Sequence, residues 1–173
     1  CDIITEGLLD IDSNLVVDSI PLADGGEGTS DLLTDLSRGR MMTVEVADPL
    51  MRPIQSGYGL SQDGTTAFVE MAKASGLQLL KPNERNCFIT STYGTGQLIK
   101  HALDHGVRKI ILGIGGSATN DAGIGMASAL GFKLMARDRS ELTGTGSGLI
   151  ALDHIEFETA HPKIKETEFI VLC

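Results

Sequence analysis

The spacing of hydrophobic and polar residues changes along the chain, and each change predicts an element. A short apolar run over residues 15–20 predicts a strand. The glycine-rich turn 24–28 follows, and three leucines with helical spacing then predict a helix over 29–36. The first part of the chain is therefore predicted to form a strand, a loop and a helix.

The next part of the chain has a β-type pattern. Residues 42–47 alternate between apolar and polar side chains, and 54–60 and 65–71 are strand-like segments separated by turn signals. These segments predict a β-rich insertion over residues 43–87. We expect this insertion to belong to a second, smaller domain.

Helical and strand patterns alternate in the remainder of the chain. A helical pattern over 91–105 ends at Gly106, and the nearly continuous apolar run 107–114 is typical of a strand covered on both faces of a parallel sheet. The pattern then predicts, in order, a helix over 120–130, a strand over 132–136 and a final strand over 169–173.

This order of elements predicts βαβ connectivity and an α/β fold. The predicted architecture is a Rossmann-like, doubly wound, mostly parallel sheet with an inserted smaller β-rich α/β domain. Residues 1–42 and 88–173 are expected to form the Rossmann-like domain. We expect this domain to lack parts at both ends, because the chain starts at Cys1 rather than Met and stops on a strand pattern.

Composition and charge exclude several classes of function. The 173 residues include 23 acidic and 14 basic side chains, and the formal net charge of -9 argues against nucleic acid as a partner. The apolar runs are far shorter than the ~20 residues of a membrane span, so no membrane association is predicted. Three cysteines without a paired spacing favour a reducing, cytoplasmic setting.

The loop after the apolar run 107–114 carries one set of candidate residues. Glycines allow the backbone to approach a ligand, and free amides at the start of a helix favour an anion such as phosphate. A tight turn with a helix cap is the structural alternative. The candidate binding residues are Gly115, Gly116, Ser117, Thr119 and Asn120, with Asp121 as a candidate catalytic residue.

A dinucleotide site is a rival interpretation of the same loop. Gly113, Gly115 and Ala118 satisfy the relaxed fingerprint G-x-G-x-x-A, and Asp138 follows about 20 residues later, where a ribose-binding acid is expected. This would make the protein an NAD(P)-binding oxidoreductase. Against it, Asp121 would repel a pyrophosphate unless Mg²⁺ intervened. A non-catalytic nucleotide-sensing domain is a third alternative.

The turn 24–28 offers two carboxylates three residues apart on a loop that becomes a helix. Asp24 and Glu27 could hold Mg²⁺, or Asp24 could accept a substrate proton. Alternatively, Glu27 complements the helix dipole and Asp24 closes a turn. Spacing alone does not distinguish a general base from a metal ligand. The same turn contributes the candidate binding residues Gly25, Gly26 and, at the start of the helix, Thr29.

Both loops resemble the signature loops of the bacterial type I glycerate kinases. The matching segments are 21–29 and 113–121, and 46–50, 67–76 and 91–96 are similar in order and spacing. The resemblance covers nearly the whole chain and implies ATP-dependent phosphorylation of D-glycerate, a Mg²⁺ requirement and a site between two α/β domains. Ala122 stands where the family commonly has Gly, on what we predict to be a helix.

The resemblance also implies roles for the candidate residues. Amides around Gly115, Gly116 and Ser117 would hold nucleotide phosphates or the glycerate carboxylate, and Asp121 would orient Mg²⁺ or the attacking hydroxyl. Asp24 is the first candidate for metal or proton chemistry, with Glu27 beside it. The expected partners are D-glycerate and ATP, with a homodimer as the assembly to test. The sequence does not decide whether the product is the 2-phosphate or the 3-phosphate of glycerate.

Overall fold

The computed structural model describes residues 2–173 and contains six α-helices and seven strands in this range, besides three short 3-10 helices. The helices are α1 (Asp2–Ile11), α2 (Thr29–Leu36), α3 (Ala72–Ser75), α4 (Tyr93–Asp104), α5 (Ile124–Ala129) and α6 (Gly146–Ala151). The strands are β1 (Arg40–Ala47), β2 (Pro53–Leu60), β3 (Thr66–Glu70), β4 (Lys109–Gly113), β5 (Lys133–Ala136), β6 (Leu152–Glu156) and β7 (Glu168–Leu172). Within residues 2–173, no helix combines the length and apolar character needed to cross a membrane.

A five-stranded mixed sheet in the order β1-β2-β3-β4-β7 forms the centre of the molecule. The pairs β1/β2 and β2/β3 are antiparallel, whereas β3/β4 and β4/β7 are parallel. Strands β1 to β3 carry the predicted β-rich pattern, and they continue through β3 into the same sheet as β4. The α/β fold class is confirmed, while the division into two domains stays a prediction.

Helices cover both faces of this sheet. Tyr58 on β2 is fully buried and its hydroxyl lies 3.0 Å from Nδ1 of His101 on α4. The next residue, Gly59, approaches Thr34 of α2. Because successive residues of a strand point to opposite faces, α2 and α4 lie on opposite sides of the sheet. This layering agrees with the predicted doubly wound arrangement.

The main hydrophobic core lies between α4 and the sheet. Its fully buried side chains include Leu98, Ile99 and Leu103 of α4 and Val69 and Ile110 of the sheet. Helix α4 thus presents the apolar stripe that its sequence pattern predicts, and it ends before Gly106, whose φ of 87° requires glycine in practice. In the sequence, α4 lies between β3 and β4, and these two strands are parallel neighbours in the sheet.

The predicted βαβ unit around α5 is wrong. Strand β5 does not join β4 in the sheet; it pairs antiparallel with β6 in a separate two-stranded sheet. The edge of β4 beyond β3 is taken by β7, which pairs with it over five residues. An apolar segment after a helix predicts a strand, but the neighbour of that strand depends on which segment later competes for the same edge.

The strand predicted over residues 15–20 is also wrong. These residues have no regular secondary structure, and Val16 is 92% exposed. A β-strand is stabilised by backbone hydrogen bonds to a neighbour, and no described strand pairs with this run. Apolar character alone therefore does not produce a strand here.

His101 on α4 should make stability depend on pH. The His101 ring is partly buried and stacks against His105 at a centroid distance of 4.2 Å. Burial, followed by the charge of His105, lowers the pKa of His101 below its ordinary 6.5, while nearby Asp104 opposes this shift. Burial raises the pKa of Tyr58 to about 12, so its hydroxyl stays protonated.

The unfolded chain therefore binds a proton at His101 more readily than the folded chain. We expect the free energy of unfolding to fall as the pH decreases from about 6.5 towards the lowered pKa of the folded state. Urea unfolding at a series of pH values measures this slope, and His101→Gln should flatten it. His154→Gln, an exposed change on β6, is the control. An unchanged slope in His101→Gln would contradict the assignment.

Candidate active site

Two loops that the sequence analysis singled out meet at the carboxyl ends of β4 and β7. We call residues 24–28 the acidic loop and residues 114–123 the amide loop. The amide of Gly115 donates to the carbonyl of Gly25 at 2.9 Å. The amide of Ile114 donates to the carbonyl of Leu172 at the end of β7, at 3.1 Å. The loops therefore form one surface at the edge of the sheet where open α/β folds bind ligands.

Glycine is required where the two loops touch. Gly25 has a φ of 82°, and a Cβ atom there would collide with the carbonyl of Leu172. A Cβ on Gly115 would lie 2.6 Å from Cα of Gly26. A larger residue at Gly25 would push the acidic loop away from the end of β7, and one at Gly115 would push the two loops apart, so the glycine pattern of the sequence reflects backbone contact at both places.

A cleft of about 250 Å³ opens on the amide loop. It is lined by Met71, Thr92, Ile114, Ser117, Thr119, Asn120, Asp121, Ala122 and Gly123. Lysine and arginine are absent from these lining residues. An anionic ligand bound in this cleft would therefore be neutralised by backbone amides and a cation rather than by basic side chains of the lining.

Asp121 is the most highly constrained side chain in this cleft. It is 1% exposed, and its carboxylate accepts four hydrogen bonds. Oδ2 accepts from the amide and hydroxyl of Thr92, both at 2.8 Å, and from the amide of Gly125 at 3.2 Å. Oδ1 accepts from the amide of Gly123 at 3.1 Å. Asp121 therefore joins the starts of α4 and α5.

The anion site that we expected at the start of the helix after the amide loop is not formed by the first amides of α5. The amide of Ile124 donates to the carbonyl of Asp121, and the amide of Met126 donates to Oγ1 of Thr92. The first amides of α5 are thus already used, and the negative charge at this helix start comes from Asp121 itself. The free amides expected at the helix start are not present there.

Unused amides occur earlier in the amide loop. The amide of Gly115 is bonded to Gly25, but within residues 2–173 no carbonyl or side chain accepts from the amides of Gly116, Ser117 or Asn120. The Ser117 hydroxyl lies 2.8 Å from that of Thr119 and accepts from the amide of Thr119. Ser117, Thr119 and Asn120 line the cleft, so their hydroxyls and the unused amides of Ser117 and Asn120 are donors available to an anion there, whereas Gly116 is not among the lining residues.

The acidic loop holds two exposed carboxylates. Oδ1 of Asp24 accepts from the amide of Gly26 at 2.8 Å, which closes a short turn, and Glu27 is exposed on the same loop. Thr29 differs from both: it is 3% exposed, and its hydroxyl has no partner among the described residues. Asp24 and Glu27 are accessible to a ligand, whereas the Thr29 side chain is directed into the protein.

The donor set of the acidic loop suits a hydrated cation. Mg²⁺ prefers oxygen ligands and commonly keeps several waters while binding one or two carboxylates. Within residues 2–173, no group of three or more His, Cys, Asp or Glu side chains could hold a metal ion. Asp24 and Glu27 would therefore supply at most a two-carboxylate site.

Sequence reasoning missed Glu70 and Thr92. Glu70 ends β3 and is fully buried, and its Oε2 accepts from the amide and the hydroxyl of Ser30, both at 3.1 Å. Its Oε1 has no partner among the described residues, and a buried unpaired oxygen costs about 1–3 kcal/mol. An acid that ends an otherwise apolar strand was the available signal. Thr92 carried no comparable signal.

The dinucleotide interpretation gains no support from the structure. Asp138 follows β5, which belongs to the separate two-stranded sheet, so it is not on a strand beside β4. Its exposed carboxylate accepts from the amide and hydroxyl of Ser140 and closes a local turn. A ribose-binding acid would have to lie at the end of the strand next to the glycine loop.

Ala122 lies in a loop rather than on the predicted helix, because α5 begins only at Ile124. Its φ is 50°, and Gly123 follows with a φ of 77°. A left-handed conformation costs an alanine about 1–2 kcal/mol. Glycine avoids this strain, but its more flexible unfolded state offsets part of the gain in stability. The expectation that Ala122 is a small change on a helix is therefore wrong.

Ala122→Gly should stabilise the protein. We expect the free energy of unfolding to rise by about 0.5–1 kcal/mol, since the backbone strain is removed. Urea unfolding measures the change. Ala127→Gly, within α5, is the matched control and should instead lower stability by about 0.5–1 kcal/mol. A loss of stability in Ala122→Gly would show that the alanine methyl makes a compensating contact.

Comparisons with known proteins agree with the resemblance of the two loops. The family model described as the glycerate kinase family matches residues 1–173. A glycerate kinase of Bacillus cereus is 43% identical over 173 residues, and a glycerate 2-kinase of Escherichia coli K12 is 43% identical over 155 residues. These matches cover 100% and 90% of this chain but only 45% and 41% of those proteins.

A solved structure shows the same fold. The crystal structure of a protein assigned as glycerate kinase 2 from Salmonella typhimurium LT2 has a TM-score of 0.85 and 42% identity to this chain. The match covers 98% of this chain and 46% of that one, so the chain spans less than half the length of these relatives. Because the family model matches every residue from 1 to 173, the chain belongs to the glycerate kinase family.

Proposed function

We propose that the protein containing this chain phosphorylates a hydroxyl of D-glycerate with ATP and Mg²⁺. The observation that supports this proposal is the contact between Gly115 and Gly25, because it joins an amide-rich loop and an acidic loop side by side at the carboxyl ends of β4 and β7. Phosphoryl transfer depends mainly on positioning and on neutralising the charge of the transferred group. The two loops supply the two kinds of group that this chemistry uses.

The amide loop would bind the anionic groups. The amides of Gly116, Ser117 and Asn120 lack acceptors within the described chain, and the hydroxyls of Ser117 and Thr119 lie beside them. Such donors suit either the nucleotide phosphates or the glycerate carboxylate. The Gly115 amide contributes indirectly, by holding the loop against Gly25.

The acidic loop would hold the metal ion. Asp24 and Glu27 are exposed, and Oδ2 of Asp24 takes no hydrogen bond from the described residues. When bound, Mg²⁺ neutralises phosphate charge. The lining of the cleft has no lysine or arginine that could do so instead. Alternatively, Asp24 would accept the proton of a substrate hydroxyl, and the two roles make different predictions for its amide variant.

We assign Asp121 a positioning role in this reaction. Its four hydrogen bonds fix the starts of α4 and α5, and they leave little of the carboxylate free for Mg²⁺ or a hydroxyl. Direct orientation of Mg²⁺ or of the hydroxyl by Asp121, which the resemblance implies, stays a prediction. A cytoplasmic setting and a homodimer also stay predictions.

The test is ADP release by the complete gene product with ATP, Mg²⁺ and D-glycerate. We expect release that requires both glycerate and Mg²⁺, and chemical identification of the product decides between the 2-phosphate and the 3-phosphate. Reactions without glycerate or with excess chelator are the controls. A folded sample that releases no ADP in response to glycerate would refute the proposal.

A further inference from the structure

We propose that Glu70 is a positioning residue that fixes the acidic loop against the amide loop. This inference rests on the proposed role of the acidic loop in holding Mg²⁺. Glu70 is fully buried, so it acts through the residues it contacts rather than by touching substrate. It was not among the candidates from the sequence.

The start of α2 depends on Glu70 because it has no cap of its own. The residue before the helix is Gly28, which has no side chain to accept from the first amides. Glu70 supplies that acceptor from β3, 40 residues along the chain, and takes two hydrogen bonds from Ser30. A tertiary contact thus replaces the local cap, and the end of the acidic loop is tied to the end of β3.

The other end of the acidic loop is tied to the amide loop. The carbonyl of Gly25 accepts from Gly115, and Gly113, two residues earlier, pairs in register with Glu70. The segment between the two ties, 26–29, contains Glu27, and the turn closed by Asp24 ends within it at Gly26. Removing the Glu70 tie would free this segment at one end while leaving the other intact.

The chemistry of Glu70 is poor for stability alone. No described lysine, arginine or histidine pairs with it, and both Oε1 and the nearby Thr29 hydroxyl are buried without a partner. A serine or aspartate in an extended conformation at the cap position would satisfy a helix start locally, without a buried oxygen that lacks a partner, but Gly28 occupies this position with a φ of 88°. The arrangement is instead well suited to connecting two loops that must keep a fixed distance.

The experiment compares two variants of similar size in the complete gene product. Glu70→Gln keeps an oxygen that can accept from Ser30, whereas Glu70→Leu removes both hydrogen bonds. Hydrogen exchange of the amides in 25–30 is the first measurement, and the Mg²⁺ concentration for half-maximal activity is the second. Glu45→Gln, an exposed change on β1, is the control.

We expect Glu70→Leu to speed exchange in 25–30 by about tenfold or more and to raise the half-saturating Mg²⁺ concentration by about tenfold. Glu70→Gln should stay within about threefold of the parent in both measurements, because its two bonds persist. Equal behaviour of the leucine and glutamine variants, or faster exchange spread evenly over the chain, would overturn the proposal.

Ser30→Ala keeps the test decisive if Glu70→Leu does not fold. It removes only the hydroxyl bond, so exchange in 25–30 should rise by a smaller factor. Unchanged exchange in this variant would count against Glu70 as the tie. A parent protein without glycerate-dependent activity would refute the proposed function, and the exchange measurement would still decide whether Glu70 holds the loop.

Discussion

Replacing Asp121 by alanine is expected to lower the free energy of unfolding by about 3–5 kcal/mol, because it leaves four buried neutral donors without their acceptor. The change removes an acceptor shared by the amide and hydroxyl of Thr92 and by the amides of Gly123 and Gly125. These donors lie where the side chain is almost completely buried, so water does not readily replace the carboxylate. A loss of this size is a large part of the about 5–15 kcal/mol that stabilises a typical domain.

Asp121→Asn should show a smaller loss than Asp121→Ala. Its amide oxygen can still accept from Thr92 and Gly125, but its NH2 group would face the amide of Gly123. Urea unfolding measures both variants. Asp138→Ala is the control, because the exposed Asp138 bonds only within its own turn and should change stability by less than about 1 kcal/mol. A loss below about 1 kcal/mol in Asp121→Ala would contradict the role assigned to this residue.

Asp24→Asn should reduce glycerate-dependent turnover by about 10²-fold or more. The amide oxygen of asparagine can still accept from Gly26, so the shape of the acidic loop is kept while the charge is lost. A stable but inactive variant is therefore expected. Turnover and urea unfolding are measured on the same preparation of the complete gene product.

The dependence on Mg²⁺ separates the two roles open to Asp24. If Asp24 binds the metal, turnover of Asp24→Asn should recover in part at higher Mg²⁺; if it accepts a proton, turnover should stay low at saturating Mg²⁺. Asp63→Asn is a matched control, because Asp63 closes a turn with the amide two residues ahead in the same way but lies between β2 and β3. Near-normal turnover of a folded Asp24→Asn would exclude both roles.

Local sequence patterns predicted most helices and strands of the central layer. The helix predicted over 29–36 coincides with α2, and the pattern over 107–114 contains β4. These elements were predictable because each one's periodicity reflects the sides on which its own side chains are buried. The glycine turns were predictable as well, because backbone contact leaves glycine as the residue that fits.

The partner of each strand was not predictable from the same patterns. Residues 15–20 include four apolar side chains but have no described neighbour, and β5 pairs with β6 while β7 pairs along the edge of β4. Pairing depends on competition between segments far apart in the sequence. A pattern that describes only one segment does not contain that information.

The sequence by itself determined which loops carry the candidate chemistry and, through the resemblance of those loops, the family of the chain. The tertiary structure decided what each acid does. Asp24 and Asp121 look alike as acidic members of glycine-rich loops, yet one is exposed and the other is buried among four donors. The contact that gives Glu70 its role, with Ser30, exists only in the folded chain. The role of a carboxylate depends on its burial and on the donors around it, and residues distant in the chain supply both.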